Sequence, residues 1–205
     1  MVEVMTTPPL PRWITDTKPG HSEWYVDRFR TMAAEGADLV GEARLIDAMV
    51  GRGSRILDAG CGPGRVGGYL HEVGHEVVGV DVDPILIDAA IADHPGPDWQ
   101  VQDLSTLDLL DQSGDRRRFD AIVCAGNVLA FVAPETEALV LSRLREHLAA
   151  DGFIAVGFHT DKLSIATFDD AVAAADLTLD LRLSTWDVKP WRDDADFAVS
   201  VLRSV

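Results

Sequence analysis

Hydrophobic and polar positions change their pattern repeatedly along the chain, and each change predicts an element. Short runs, most of them apolar, predict strands near residues 54–58, 76–80, 98–102, 120–125 and 153–158. Between several of these runs, apolar residues recur at helical spacing and predict helices near 64–72, 84–92 and 134–149. Strands that alternate with helices in this way are typical of a parallel sheet with helices on both faces.

The last of these helices is expected to begin at Pro134, since proline is favoured at the first helical position. Its apolar residues would then face the sheet, and they are Leu141, Leu144 and Leu148. The same helix carries His147, which we expect on the solvated face.

The chain before residue 54 has a different character. Residues 1–20 contain four prolines, which predicts a partly ordered arm. Apolar residues at steps of three and four predict helices over residues 21–34 and 37–50. We therefore expect residues 21–53 to form a helical cap or lid on a core that spans 54–205.

The end of the chain departs from the alternation of strands and helices. A short helix is predicted from Ser164 or Phe168 to Ala175, and two strand-like runs follow at 177–186 and 195–205. Such a tail predicts a final antiparallel hairpin. The fold class is therefore α/β: a Rossmann-like, seven-stranded, mostly parallel, doubly wound sheet with an antiparallel C-terminal strand, preceded by N-terminal helices. By length, residues 21–205 form one domain.

A glycine loop follows the first predicted strand. Residues 55–65 form an apolar strand that ends at Asp58, followed by glycines at positions 60, 62 and 64. Backbone without side chains lets a ligand approach main-chain N–H groups closely, and a helix start just after such a loop favours electron-rich ligand atoms. A strand, a glycine loop and a helix in this order are typical of the first half of a nucleotide-binding βαβ unit.

Two alignments fit these glycines. Residues 62–67 match the G-x-G-x-x-G pattern of dinucleotide sites, which would make the chain a nicotinamide-dependent oxidoreductase. That alignment places an acid and a glycine, Asp58 and Gly60, inside a buried strand, and both are unfavourable there. The alignment that ends the strand at Leu57 or Asp58 is therefore favoured.

The next two strands also end in acids. Asp81 follows the second strand, where a carboxylate can accept hydrogen bonds from both hydroxyls of a ribose. Asp83 competes for this role, but Asp83 and Pro84 are typical of a helix N-cap and first helical residue, so Asp81 is assigned to the ligand. Asp103 ends the third strand. A single acid at this position is weak evidence for a ligand site, and Asp103 is assigned to the ligand because it continues the series of acids at strand ends.

In the favoured alignment, these residues resemble the class I S-adenosylmethionine-dependent methyltransferases of the small single-domain type. The similarity covers roughly residues 55–130. It implies S-adenosyl-L-methionine as cofactor and S-adenosyl-L-homocysteine as product. It also implies that Asp103 accepts from the adenine amino group, that the Leu104 N–H donates to the ring and that Asp58 lies near the amino acid end. The cofactor-binding residues it implies in the core are Asp58, Gly60, Cys61, Gly62, Gly64, Asp81, Val82, Asp103, Leu104 and Ala125.

The same resemblance gives the first helix a place over the donor. Tyr25 and Arg28 are candidates to hold the donor's carboxylate, and Trp24 is a candidate to line the substrate pocket. Packing of Trp24 and Tyr25 on the sheet edge is an equal alternative. After the fourth strand, Asn127 and Phe131 are further candidates for the substrate pocket, although Phe131 fits the core as well.

His159 is the candidate catalytic residue. It follows the fifth predicted strand at the same edge of the sheet, where an imidazole can accept a proton from a substrate hydroxyl or amine. A loop histidine bound to backbone is the more common situation. The histidines and cysteines show no metal-ligand spacing, so no metal site is predicted, and Cys61 and Cys124 are expected to be core thiols on neighbouring strands.

Composition narrows the choice of partners. The net charge of −16 repels nucleic acid phosphates and anionic membranes, and no apolar run is long enough for a membrane span. The start of the chain does not resemble a signal peptide, so a cytoplasmic protein is expected. Residues 126–129 also lack the Asn/Asp-Pro-Pro-aromatic motif of methyltransferases that act on base amines.

We therefore expect methyl transfer to a small organic molecule. A donor-binding protein without turnover, acting as a sensor or subunit, is the alternative outside the enzyme class. Neither the acceptor nor the oligomeric state is fixed by the sequence.

Overall fold

A seven-stranded sheet forms the centre of the chain in a computed structural model that describes residues 9–205. The strand order is β3-β2-β1-β4-β5-β7-β6, and β7 alone runs against the others. The predicted α/β fold with an antiparallel C-terminal strand is therefore confirmed. The strands are β1 (Arg55–Ala59), β2 (Glu76–Asp81), β3 (Asp98–Val101), β4 (Phe119–Cys124), β5 (Leu148–His159), β6 (Leu177–Leu183) and β7 (Phe197–Ser204).

Helices connect the strands and precede the first one. The predicted arm lies partly outside the described residues, but its second half contains a helical turn, α1. The helices are α1 (Arg12–Thr15), α2 (His21–Ala34), α3 (Gly41–Met49), α4 (Arg65–Glu72), α5 (Pro84–Asp93), α6 (Val128–Phe131), α7 (Glu137–Glu146) and α8 (Ile165–Ala174), with a 3₁₀ turn at Leu104–Thr106. Within residues 9–205, we find no helix of the length and apolar character that a membrane span requires.

The central strands of the sheet are buried on both faces, and successive residues of each strand lie on opposite sides. Ile56 of β1 belongs to a core with Leu70 of α4, whereas the next residue, Leu57, belongs to a core with Leu144 of α7 and Phe168 of α8. Such two-sided burial explains why the central strands are continuous apolar runs.

Helix α7 is shorter than the predicted helix over 134–149. Glu135 has a φ of 65°, a left-handed conformation that prevents a helix from starting at Pro134, and α7 begins at Glu137. At the other end, Leu148 is the first residue of β5 and pairs with Phe119. Leu148 is buried in either element, so apolar spacing alone did not distinguish them.

The edge strand β6 follows the predicted alternation only in part. Its pairing with β7 shifts register between Leu179 and Leu181, and an extra residue at such a shift changes which face the following residues occupy. Leu177 and Leu183, at the two ends of the strand, are buried, whereas Leu179 and Leu181, on either side of the shift, are exposed.

His147 is buried, so its predicted place on a solvated helix face is wrong. It follows the last residue of α7, where the chain turns inward toward β5. Its Nδ1 lies 2.9 Å from the Arg117 carbonyl oxygen, and the Leu109 N–H donates to Nε2 over 3.3 Å. Burial lowers the pKa of His147. The imidazole therefore joins α7 to the loop that precedes β4.

We expect His147→Leu to lower the free energy of unfolding by about 2–6 kcal/mol at pH 7.5. The substitution leaves the Leu109 N–H and the Arg117 carbonyl without their buried partner, at about 1–3 kcal/mol for each group. Urea denaturation measures the change, and Lys162→Leu at an exposed position serves as the control.

The same histidine gives the stability of the wild type a pH dependence. Below about 6.5, the unfolded chain binds a proton that the folded His147 resists, so this contribution is present above that pH and is lost as pH falls. As pH falls from 7.5 to below about 6.5, the free energy of unfolding should therefore decrease less for His147→Leu than for the wild type. Equal unfolding free energies for the variant and the wild type at pH 7.5 would contradict the structural role of His147.

Candidate active site

A cavity opens at the carboxyl ends of β1, β2 and β4. The strand order reverses at this point, because β2 and β3 lie on one side of β1 and β4 lies on the other. Open α/β sheets bind ligands in the crevice at such a reversal. The space between its walls, including the part that is open to solvent, is about 830 Å³.

The three glycines of the loop after β1 have different roles. A Cβ on Gly60 would lie 2.4 Å from Val128 Cγ2, and one on Gly64 would lie 2.9 Å from Ala90 Cβ. Both glycines therefore permit close packing of the loop against its neighbours. Gly62 instead faces the cavity, where the nearest atom to its added Cβ would be Tyr25 Cε1 at 3.8 Å. Of the three, Gly64 does not line the cavity.

Asp58 lies at the floor of the cavity and is only 2% exposed. The Gly67 N–H, in the first turn of α4, donates to its Oδ2 over 2.8 Å. Burial raises the pKa of Asp58 to about 7, because this one bond does not offset the loss of water. A positively charged ligand group beside Asp58 would stabilise its ionised form.

Asp81 at the end of β2 holds together the two loops that flank the cavity. The Gly62 N–H donates to its Oδ2 over 2.9 Å, and the Asp83 N–H donates to its Oδ1 over 3.0 Å. Burial raises the pKa of Asp81 to about 6. Its carboxylate lines the cavity and retains lone pairs for further donors.

Asp83 caps α5, as its sequence context predicts. Its Oδ1 accepts the Ile85 N–H over 2.9 Å, and Pro84 is the first residue of the helix. Its Oδ2 accepts hydrogen bonds from the Trp13 indole N–H over 2.8 Å and from the Ser22 hydroxyl. The N-terminal helices are thereby attached to the loop after β2.

The adjoining wall is formed after β3. Asp103 caps the 3₁₀ turn through the Ser105 N–H, which donates to Oδ1 over 2.8 Å, and Leu104 begins that turn. Both residues line the cavity, together with Gln102. The carboxylate therefore keeps Oδ2 for another donor.

The roof of the cavity is aromatic. Trp13 of α1 meets the rings of Tyr25 and Phe131 edge to face, with ring centroids 5.4 and 5.8 Å apart. All three rings line the cavity, and burial raises the pKa of Tyr25. The roof thus limits the access of water to the carboxylates below it.

Trp24 and Arg28 lie outside the cavity. They are four residues apart on α2, so they share its outward face, where Trp24 is 53% exposed and the Arg28 guanidinium stacks 5.6 Å above its ring. Tyr25, the residue after Trp24, instead lines the cavity. The expectations that Trp24 lines a substrate pocket and that Arg28 reaches the donor are therefore not supported by their positions.

Asn127 and His159 also lie beside the cavity and not in it. The His159 N–H donates to Asn127 Oδ1 over 2.7 Å, which links the ends of β4 and β5. The His159 ring packs against Phe197, and its Nδ1 lies 3.3 Å from the Asp196 carbonyl oxygen. This arrangement corresponds to the alternative of a loop histidine that is bound to backbone.

The structure adds residues that the sequence did not single out. Pro11 and Trp13 come from the segment predicted as an arm, where a tryptophan among prolines was the available signal. Arg65 comes directly after the glycine loop and is the one basic side chain that lines the cavity within residues 9–205. Its guanidinium is bound to Glu42 at 2.5 and 2.8 Å.

The remaining predicted residues line the cavity as a group. Cys61 is among them, with the pKa of its thiol raised well above the usual value by burial and by the nearby acids. Both cysteines are free, and the described part of the chain has no cluster of metal-ligating side chains. The predicted residues that line the cavity are Tyr25, Asp58, Gly60, Cys61, Gly62, Asp81, Val82, Asp103, Leu104, Ala125 and Phe131.

Comparisons with known proteins agree with this geometry. Residues 57–154 match the family described as "Methyltransferase domain". A TehB-like SAM-dependent methyltransferase from Corynebacterium glutamicum, known from a crystal structure, is 43% identical in sequence to this chain. The two structures superpose with a TM-score of 0.85, and the match covers 92% of this chain and 100% of that one. An S-adenosylmethionine-dependent methyltransferase from Clostridium acetobutylicum has the same fold at 12% identity, with a TM-score of 0.72 over 89% and 98% of the two chains.

Curated relatives match over shorter stretches. A ribosomal protein L11 methyltransferase from Symbiobacterium thermophilum is 33% identical over 117 residues, which cover 55% of this chain and 36% of that protein. An 18S rRNA (guanine-N(7))-methyltransferase from Mus musculus is 49% identical over 41 residues, or 20% and 15% of the two chains. The matched part thus spans about a third or less of these relatives.

The relationship to the Corynebacterium protein extends over nearly the whole of both chains. At 43% identity it is close enough to establish family as well as fold. This chain belongs to the class I S-adenosylmethionine-dependent methyltransferases.

Proposed function

We propose that this methyltransferase acts on a small organic acceptor and binds its donor across the carboxyl ends of β1, β2 and β4. The observation that carries the proposal is the cavity itself. It combines buried carboxylates at strand ends, bare backbone at Gly62 and an aromatic roof.

The charges in the cavity fit S-adenosylmethionine. This donor carries an ammonium and a sulfonium group, both positive. Asp58 and Asp81 are both acids whose pKa is raised by burial, to about 7 and about 6, so a cation beside them recovers favourable interaction. Gly62 leaves space for the ligand where any side chain would project into the cavity.

Each part of the donor has a proposed partner in the cavity. Asp81 uses its remaining lone pairs for the ribose hydroxyls, and Asp103 with the Leu104 N–H receives the adenine. Asp58 lies nearest the amino acid end. We assign the donor's carboxylate to Tyr25 and Arg65, since Arg65 lines the cavity and Arg28 does not.

The donor supplies a methyl group that its positive sulfur activates for in-line displacement. The residues of this chain bind and orient the reactants and exclude water, which is the main contribution a protein makes to such a transfer. Water is excluded from above by the rings of Trp13, Tyr25 and Phe131. Asp81 connects the glycine loop to the loop after β2, because it accepts hydrogen bonds from the Gly62 and Asp83 N–H groups. The proposed role of His159 as a base is tested by His159→Gln, in which kcat should fall if His159 removes a proton.

Several observations support a small acceptor. The roof is apolar, and the net charge of −16 opposes the approach of a phosphate polymer. Among proteins that share the fold, a Burkholderia thailandensis enzyme is a 1,6-didemethyltoxoflavin-N1-methyltransferase, at 20% identity. The rRNA and ribosomal protein methyltransferases match this chain over 36% or less of their length.

Two measurements test the proposed function. Calorimetric titration with S-adenosylmethionine and S-adenosylhomocysteine should show binding of both. Incubation with labelled donor should transfer label to a member of a panel of small amines, thiols and phenols, and not to ribosomal RNA or ribosomal protein. Transfer only to the ribosomal substrates would contradict the small acceptor, and binding without any transfer would favour a sensor.

We expect Asp81→Ala to weaken donor binding by about 1.5–3 kcal/mol, which is typical for the loss of hydrogen bonds to a charged group. Calorimetry measures the change in Kd. Asp120→Asn is the matched control, because Asp120 belongs to β4 but lies at its amino end and binds Arg55. Unchanged affinity in Asp81→Ala would place the ribose elsewhere.

Donor affinity should rise with pH. In the free protein, Asp81 and Asp58 ionise as pH passes about 6 and about 7, and the ionised forms attract the donor's positive groups. We expect affinity to increase about tenfold or more between pH 5 and pH 7.5 and then to level off. Asp81→Asn should flatten the lower part of this profile. A profile that is flat in the wild type would show that neither acid faces a cation of the donor.

A further inference from the structure

Helix α1 spans the cavity and is attached to both of its walls. On one side, the Trp13 indole N–H donates to Asp83 Oδ2 over 2.8 Å, in the loop between β2 and α5. On the other side, the Arg12 N–H donates to the Val132 carbonyl oxygen over 3.4 Å, and Arg12 Nη1 lies 3.2 Å from Glu137 Oε1. Two consecutive residues therefore connect the opposite walls.

The attachment on the Asp83 side continues to the floor of the cavity. The Asp83 N–H donates to Asp81 Oδ1 over 3.0 Å, and Asp81 Oδ2 accepts the Gly62 N–H over 2.9 Å. Asp83 and Asp81 are 4% and 8% exposed, so these bonds are shielded from competing water. The roof, the proposed ribose-binding acid and the glycine loop thus form one hydrogen-bonded series.

The indole of Trp13 also closes the cavity sterically. It packs between Tyr25 and Phe131, which belong to α2 and α6, and it lines the cavity together with Pro11. Release of the indole would remove the central part of the roof.

We propose that residues 11–15 are a strap that retains the donor and that must detach before the donor or its spent form exchanges. Trp13 and Asp83 are positioning residues of this strap, and Glu137 fastens its other side. The proposal rests on the proposed donor site, since it concerns how that site is closed. If the strap must detach first, the dissociation rate of the donor or its spent form, and not only its affinity, depends on residues 11–15.

The experiment measures how fast S-adenosylhomocysteine leaves the full-length protein. Labelled S-adenosylhomocysteine is bound first and is then displaced with excess unlabelled ligand. Trp13→Phe keeps an aromatic ring but removes the N–H, and we expect dissociation about tenfold faster, the size typical of losing one hydrogen bond to a charged group. Asp83→Asn keeps an oxygen to cap α5, and Glu137→Gln removes the charge on the opposite side; both should also accelerate dissociation.

Arg30→Gln is the matched control. Arg30 forms an ion pair with Asp93 at 2.8 Å, which also joins an N-terminal helix to α5 but lies outside the cavity. We expect its dissociation rate to equal that of the wild type. Thermal melting of each variant without ligand separates an effect on the strap from a general loss of stability.

Amide hydrogen exchange supplies a second measurement. In the wild type, exchange in residues 12–16 should slow when S-adenosylhomocysteine binds, and Trp13→Phe should lose most of this protection. A dissociation rate in Trp13→Phe equal to that of the wild type, or an equal acceleration in Arg30→Gln, would overturn the strap. Absence of binding to the wild type would instead overturn the proposed donor site.

Discussion

The carboxylate of Asp81 is the interaction on which the site depends. It accepts one backbone N–H from the glycine loop and another from the loop after β2, and these loops belong to neighbouring strands. The Gly60 and Cys61 N–H groups also donate to the Val80 carbonyl oxygen, so Asp81 adds a side-chain link to the backbone bonds that hold the glycine loop against β2. Burial raises the pKa of this residue to about 6, so hydrogen bonds that a ligand donates to the ionised carboxylate would offset part of the cost of burying it.

Packing constraints explain why the glycine loop keeps its shape. Gly60 lies under Val128 and Gly64 lies against Ala90 and Trp99, at distances that leave no room for a methyl group. The loop is therefore held from both ends by neighbouring helices and strands. Gly62, between them, is the glycine whose missing side chain leaves space in the cavity. Pre-organisation of this kind lowers the entropic cost of ligand binding, because the backbone does not have to be ordered by the ligand.

The sequence predicted what depends on strand order and strand ends. Strands expected to end at Asp58, Asp81 and Asp103 were sufficient to place the cavity, since parallel strands bring their ends to one edge. The exact ends differ, because β1 continues past Asp58 to Ala59 and β3 ends at Val101. It did not predict the part played by long-range contacts. Trp13 is fixed by Asp83, 70 positions away, and no local pattern encodes that bond. Trp24 was expected at the substrate pocket but lies exposed on α2, and His147 was expected on a solvated helix face but is buried. Helical periodicity does not show where a helix ends or what covers it.

Cys61 has a chemical consequence for a protein of this family. Its sulfur borders the cavity proposed for an alkylating cofactor, and thiolates are strong nucleophiles. Burial together with the charges of Asp58 and Asp81 raises the pKa of this thiol, so it stays protonated at neutral pH. The same acids that we propose to bind the donor thereby disfavour the thiolate that the donor could methylate.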